Sequence, residues 1–172
     1  LGGSMNLLRK MTFVASDYTG EADFMHGSNG VDLNTYKEYL FTFNQLHGYE
    51  DNVSLRFGAS YQGDNGNSWD VLTTGGGHRA YSAEGGSSGM GKANDGNQNS
   101  GTYFNLSEGT QRNGNDESLS GFMHIYEPHK ATQFKCFKGQ TMCQKGSTYG
   151  IDYYFSGYHA HANSIDGYRF KF

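Results

Sequence analysis

Alternation of apolar and polar side chains at every second residue constrains the fold of this chain more than any other feature. The segment Tyr168–Phe172 reads Tyr-Arg-Phe-Lys-Phe. Successive side chains of a β-strand point to opposite faces, so this pattern predicts a half-buried strand with its three rings on the buried face. Val53–Ala59 and Tyr39–Phe43 show the same period, and no segment shows a convincing helical repeat. The chain is therefore predicted to be all-β with negligible helix.

Aromatic residues replace the aliphatic residues that usually fill a protein core. The 172 residues include 12 Phe, 13 Tyr and 1 Trp, together with 26 Gly and a single Pro. Tyrosine rings can form a core while their hydroxyls reach water, and abundant glycine suits short strands joined by turns. The net charge is only −4, and no basic cluster occurs beyond Arg9-Lys10. No apolar run approaches the roughly 20 residues of a membrane span. Neither a nucleic-acid partner nor membrane insertion is predicted.

Turn-forming segments rich in Gly, Asn and Asp separate about nine predicted strands. Besides the three above, strands are predicted at Leu8–Ala15, His78–Glu84, Thr102–Glu108, Phe122–Glu127, Thr132–Thr141 and Ile151–Ala160. The glycine-rich segment Gly85–Gly101 is predicted to be a mobile loop. Many short strands without helices favour an antiparallel two-sheet β-sandwich of jelly-roll type with about 8–9 strands. We expect an N-terminal arm or linker remnant at residues 1–10 and a single sandwich domain at residues 11–172.

His159 and His161 are weak candidates for a metal site. Side chains at positions i and i+2 of a strand point the same way, but no Glu or further His follows them to complete a ligand set. We therefore predict no metal and no cofactor, and expect two polar histidines at a strand end. Scattered carboxylates such as Glu108, Asp116 and Glu127 form no evident acid–base pair, so no catalytic residue is predicted.

Trp69 is the strongest single candidate for a ligand platform. It stands beside Asn67 and Asp70. An aromatic ring can stack on the apolar face of a sugar, while amides and carboxylates bind its hydroxyls. The alternative is that the tryptophan belongs to the core or to an interface between subunits.

The two cysteines, Cys136 and Cys143, are expected to be free thiols. Seven positions separate them, and a disulfide requires their Cα atoms to lie within about 7 Å. One local bridge across a tight hairpin remains the alternative.

The segment Gly114–Pro128 carries the most specific signature: an acidic Gly-Asn turn, then Ser-Gly, then an alternating strand that ends in Pro. It resembles a segment common in structural proteins of tailed bacteriophages, particularly marine and cyanobacterial ones. Further similar segments follow the same order at Tyr36–Phe43, His78–Tyr81, Phe155–Tyr158 and Ile165–Phe172. Glu127 replaces the Asn that precedes Pro in that family. The family's final Ser/Gly-rich hairpin is not found, so we expect a C-terminal hairpin to be missing from this chain.

The resemblance implies a virion structural module, a non-enzymatic β-sandwich displayed on the particle surface as a capsid decoration protein, fibre or tail appendage. The resemblance also implies further copies in a homotrimer as partners, since phage appendages and decorations are commonly three-fold, in keeping with closed symmetric oligomers in general. Other virion proteins and a host surface glycan are the remaining expected partners. Phe122, Tyr126 or Trp69 is expected to supply part of the apolar contact between subunits, and residues near Leu1–Lys10, or missing upstream sequence, to attach the module. The alternative is a carbohydrate-binding or carbohydrate-processing sandwich, which as a hydrolase needs two carboxylates about 5–10 Å apart.

Overall fold

Antiparallel pairing organises the described part of the chain, which in the computed structural model comprises residues 5–12, 20–48, 50–61, 68–93, 98–108, 117–145 and 148–172. These residues form eleven strands and no α-helix. The strands are β1 (Glu21–Met25), β2 (Glu38–Leu46), β3 (Arg56–Tyr61), β4 (Thr73–Ala83), β5 (Ser88–Lys92), β6 (Gln98–Gly101), β7 (Phe104–Asn105), β8 (Leu119–Tyr126), β9 (Lys135–Lys145), β10 (Tyr149–His159) and β11 (Ile165–Lys171).

The strands divide into two sheets. The small sheet has the order β1-β11-β3-β7, and the large sheet has the order β2-β8-β9-β10-β4-β5, with β6 also pairing with β4. The chain alternates between the sheets from β1 to β4, and its first and last described strands are neighbours. This connectivity is jelly-roll-like, and the predicted all-β sandwich is confirmed.

Aromatic side chains from both sheets meet in the core. The ring centroids of Phe41 in β2 and Phe170 in β11 lie 5.0 Å apart, and those of Phe57 in β3 and Phe137 in β9 lie 4.9 Å apart. Tyr168 and Phe170 are buried, whereas the Arg169 guanidinium on the opposite side of β11 pairs with carboxylates. The predicted orientation of this strand is confirmed.

Glycines on the inner side of the large sheet make room for the rings. Gly139 pairs with Phe155, and Gly157 pairs with Phe137 across the same two strands. A Cβ atom on either glycine would lie 2.6 Å from the Cζ atom of its partner ring. A phenyl ring therefore fills the space that a side chain would take at both positions, as in other cross-strand Gly–aromatic pairs.

Two sequence predictions about strands are wrong. Residues 8–12 of the predicted strand Leu8–Ala15 form no strand, and residues 13–15 lie outside the described part; instead, Leu8 and Met11 pack against the core. The predicted loop Gly85–Gly101 contains β5 and β6, which both pair with β4. These pairings need only backbone groups, so they leave no apolar pattern in the sequence.

The two cysteines lie on one uninterrupted strand, β9, and not on the two arms of a hairpin. Strand β9 runs through Cys136, which is exposed, and Cys143, which is buried. Seven residues of extended strand span about 23 Å, and odd and even positions face opposite sides. Neither cysteine forms a disulfide, in agreement with the prediction of thiols, and this fold excludes a bridge between the two.

Candidate functional site

Large apolar side chains are exposed on one side of the large sheet, which we call the outer face: the outward-pointing residues of β2, β8, β9, β10, β4 and β5. The exposed group on this face comprises Leu40, Met90, Phe122, Met142, Tyr154 and Tyr158. Polar side chains such as Gln140 and Lys138 stand between them, and exposed rings mixed with a few polar groups are typical of ligand sites. The outer face is therefore the candidate functional surface.

Strand register arranges this face in rows that run across the strands. One row consists of Thr42, Phe122, Gln140, Tyr154, His78 and Lys92. The adjacent row consists of Leu40, His124, Lys138, Ser156 and Gly76. At about 4.8 Å between strands, the first row, on six strands, is roughly 24 Å long, and the second, on five strands, is about 19 Å long.

A depression of about 520 Å³ lies where these two rows meet, and we call it the trough. Gly76 and Ser156 carry little or no side chain, which leaves space beside the larger residues of the first row. The trough is lined by aromatic and polar side chains together with strand backbone, principally His78, Phe122, His124, Lys138, Gln140 and Tyr154. Its volume lies within the range of small-molecule sites.

Tyr154 is held in place at the wall of the trough. Its ring stacks on His78, with centroids 5.1 Å apart and planes 10° apart. Gln140 donates hydrogen bonds to the Tyr154 hydroxyl at 3.1 Å and to the Asp152 carboxylate at 2.7 Å. The hydrogen bond between the Tyr154 hydroxyl and Asp152 raises the pKa of the phenol. The ring is thus ordered although 39% of the residue is exposed.

Charged groups near the trough differ in whether they are neutralised. His124 Nδ1 lies 2.5 Å from Glu38 Oε1, so this acidic residue already has a partner. Lys138 Nζ lies 5.7 Å from the centre of the Tyr126 ring, and no described carboxylate forms an ion pair with it or with Lys92. The lining of the trough therefore includes the Lys138 cation and no carboxylate, whereas Lys92, Glu38 and Asp152 lie outside it.

The predicted Trp69 platform lies beside the small sheet, away from the trough. The Arg169 guanidinium lies over its ring, 4.5 Å from the centroid. Asp23 accepts two hydrogen bonds from Arg169, each 2.7 Å long, and these bonds raise the pKa of Arg169. Asp70 is exposed, and Asn67 lies outside the described residues. Trp69 is half-buried and packs on Arg169, which is close to the alternative that it is part of the core. Its role as a ligand platform stays a prediction.

His159 and His161 occupy different environments and do not converge. His159 is fully buried, and its Nδ1 lies 2.8 Å from the Thr73 hydroxyl. Burial, with a smaller contribution from Lys135, lowers the pKa of His159 to about 3. His161 instead stacks on Tyr61 with centroids 4.3 Å apart. Within the described residues, no three His, Cys, Asp or Glu side chains group as metal ligands.

Lys135 closes the end of the sandwich next to His159. Its side chain is fully buried, and its ammonium donates hydrogen bonds to the backbone carbonyls of Gln133, His161, Ala162 and Asn163 at 2.7–3.3 Å. Desolvation lowers the pKa of Lys135. This contact ties the β10–β11 loop to the start of β9, which is a structural role.

Phe122 and Tyr126, the predicted subunit contacts, both lie on β8 and face outward. Phe122 lines the trough, and Tyr126 stacks on His124 with centroids 6.3 Å apart. They belong to the exposed surface, as the prediction requires, and contact with another subunit stays a prediction. His78, Gln140 and Tyr154 could not be predicted as a site from the sequence, because strand pairing brings them together from distant segments.

The architecture defines an all-β, two-sheet sandwich protein with an aromatic, cationic trough on its large sheet. No family model, curated protein or solved structure matches the chain. No described helix is long and apolar enough to cross a membrane. The geometry of the chain's own residues is therefore the basis for assigning a function.

Proposed function

We propose that this chain is a structural module of a tailed-bacteriophage virion, displayed on the particle as a capsid decoration protein, fibre or tail appendage. The observation that carries the proposal is where the phage-like segments fall. They coincide with parts of β2, β4, β8, β10 and β11, and inward-facing residues of these strands, such as Ile125, Phe155 and Phe170, belong to the shared core. The resemblance thus follows the elements that build the fold.

The separation of the carboxylates on the outer face fits a protein that binds a ligand without catalysing a reaction. Its strand residues include two, Glu38 on β2 and Asp152 on β10. Three strand spacings separate these strands, or about 14 Å, which exceeds the roughly 5–10 Å between the two carboxylates of a glycosidase. Each is also already bonded, Glu38 to His124 and Asp152 to Gln140.

The N-terminal segment of the proposed module is packed rather than detached from the sandwich. Leu8 and Met11 contact the core, and Arg9 donates a hydrogen bond to the Asp23 carbonyl at 2.7 Å. This bond caps a backbone acceptor on β1, an edge strand that is otherwise open to pairing. We propose that attachment to the particle uses residues preceding this packed stretch.

Mapping the protein in purified particles tests the proposal. Gradient-purified virions are expected to contain its peptides at a copy number that is a multiple of three, and antibodies against the recombinant chain should label the particle surface. A protein absent from particles that hydrolyses a polysaccharide as a monomer would contradict the proposal. That result would favour the alternative of a carbohydrate-processing sandwich.

The trough supports a second candidate function, a carbohydrate-binding module outside any virion. The trough combines an ordered aromatic ring with polar side chains in an open depression. These features are suited to binding a sugar whether or not the chain belongs to a virion. The two candidates differ in location, so the particle experiment separates them.

A further inference from the structure

We infer that the trough binds an acidic saccharide, specifically a pyranose chain bearing carboxylate or sulfate groups, as found in acidic cell-surface polysaccharides. This ligand would supply the host-surface contact in the proposed function. Binding itself depends only on the trough and is measurable on the purified chain.

Two exposed rings are placed to stack on sugar rings. Phe122 and Tyr154 each expose 39% of their surface, and both pair in register with Gln140 between them. Two strand spacings separate their backbones, or about 10 Å, so two linked sugar residues can contact both rings. Aromatic faces bury the apolar C–H surface of a pyranose.

The site is ordered before a ligand arrives. Stacking on His78 and hydrogen bonding to Gln140 fix the Tyr154 ring, so little rotamer entropy remains to be lost on binding. Ser156 lines the trough, is exposed, and makes no hydrogen bond with a described side chain. It can therefore bond to a sugar hydroxyl without breaking an existing contact.

Charge selects an acidic ligand over a neutral one. Lys138 lines the trough, which no carboxylate lines, and it forms no ion pair with a described carboxylate. A bound carboxylate or sulfate would give Lys138 the counter-charge it lacks, through a charge-assisted hydrogen bond.

The same charge argues against a second copy of this chain as the occupant. The buried centres of subunit interfaces are depleted of lysine and other charged residues. Here Lys138 lies between His124 and Ser156 in the middle of a row, not at its rim. A hydrated, anionic ligand satisfies that lysine, whereas an apolar subunit surface would desolvate it.

Calorimetric titration of the purified chain with three hexasaccharides tests the inference. The probes are a galacturonic-acid hexamer, a heparin-derived hexasaccharide and neutral maltohexaose. At least one acidic probe is expected to bind at least about tenfold more tightly than maltohexaose, with affinity falling as salt rises. Lys138→Gln should weaken that binding by about tenfold or more, and Tyr154→Ala should reduce binding similarly.

Matched variants separate the trough from the rest of the surface. Lys130→Gln removes an exposed lysine and Tyr149→Ala removes an exposed tyrosine, both outside the trough, and both should bind like the parent. Circular dichroism confirms that each variant folds.

Four results would overturn the inference: no binding of either acidic probe, equal binding of maltohexaose, binding unchanged by Lys138→Gln, or an oligomer that Phe122→Ala dissociates. The last would identify the face as a subunit interface. Saccharide binding by a protein absent from virions would overturn the virion proposal alone.

Discussion

His159 is a histidine that the fold keeps neutral. Its Nδ1 contacts the Thr73 hydroxyl, which itself donates to the Val71 carbonyl. The shared hydroxyl therefore accepts from Nδ1–H, and Nε2 faces the core without a partner among the described residues. Protonation would place an uncompensated charge among the rings of Phe57 and Tyr168.

Stability is expected to fall with acidification because of this residue. The pKa of His159 is about 3 in the fold and about 6.5 in the unfolded chain, so the unfolded state binds the proton first. The free energy of unfolding should decrease by about 1.4 kcal/mol per pH unit as pH falls from about 6.5 towards 3. Urea titrations at several pH values should show a flatter profile for His159→Gln than for the parent. Equal slopes for His159→Gln and parent would contradict the assignment.

Lys135 is expected to stabilise the fold through its ammonium rather than its stem. Lys135→Met keeps the apolar chain length but removes hydrogen bonds to four carbonyls. We expect a loss of about 2–3 kcal/mol in the free energy of unfolding, the size of a hydrogen bond to a charged group, measured by urea denaturation. Lys130→Met, at an exposed position, should change stability by less than about 0.5 kcal/mol. A fully stable Lys135→Met variant would show that the loop is held by other contacts.

At the scale of strands, the Gly–aromatic pairs of β9 and β10 make room for the Phe155 and Phe137 rings on the inner side of the large sheet. An added Cβ atom at Gly157 would clash with the Thr74 carbonyl oxygen and lie 2.6 Å from the Phe137 ring. Gly157→Ala is therefore expected to lower the free energy of unfolding by about 1–3 kcal/mol or more. Gly91→Ala is the control within a strand, because nothing lies within 4 Å of its added Cβ atom. Thermal melting compares the two, and equal melting temperatures would mean that the backbone relaxes freely at Gly157.

The sequence allowed prediction of strands that bury an alternating row of large side chains. Strands β2 and β11 follow this rule, since Tyr39, Phe43, Tyr168 and Phe170 are buried. Strand β1 was missed because Ala22 is its one fully buried residue. The trough was missed for a different reason: Phe122, Gln140, Tyr154 and His78 lie on four strands, and only the register places them side by side.

At the scale of the whole molecule, we expect a homotrimer that leaves the trough open, so that Phe122 contacts a saccharide and not a neighbouring subunit, in place of the subunit contact predicted from the sequence. Native mass spectrometry should give a mass three times that of one chain if the proposed virion module is three-fold, as phage appendages and decorations commonly are. The saccharide affinity per chain should be the same for assembled and diluted protein. A stable monomer at micromolar concentration would contradict the trimer, and a trimer that loses saccharide binding would show that assembly covers the face.

The pairing of β1 with β11 also sets an order of events during synthesis. Phe24 and Tyr168 are cross-strand partners, so the small sheet stays incomplete until almost the whole described chain has left the ribosome. The hairpins β8–β9 and β9–β10 involve neighbours in sequence and can form earlier, because short loops cost less entropy to close. Folding dominated by such distant pairing is slow, in the range of milliseconds to seconds. The aromatic inner side of the large sheet is therefore exposed until β11 has been synthesised. We expect a nascent chain of this kind to benefit from a chaperone.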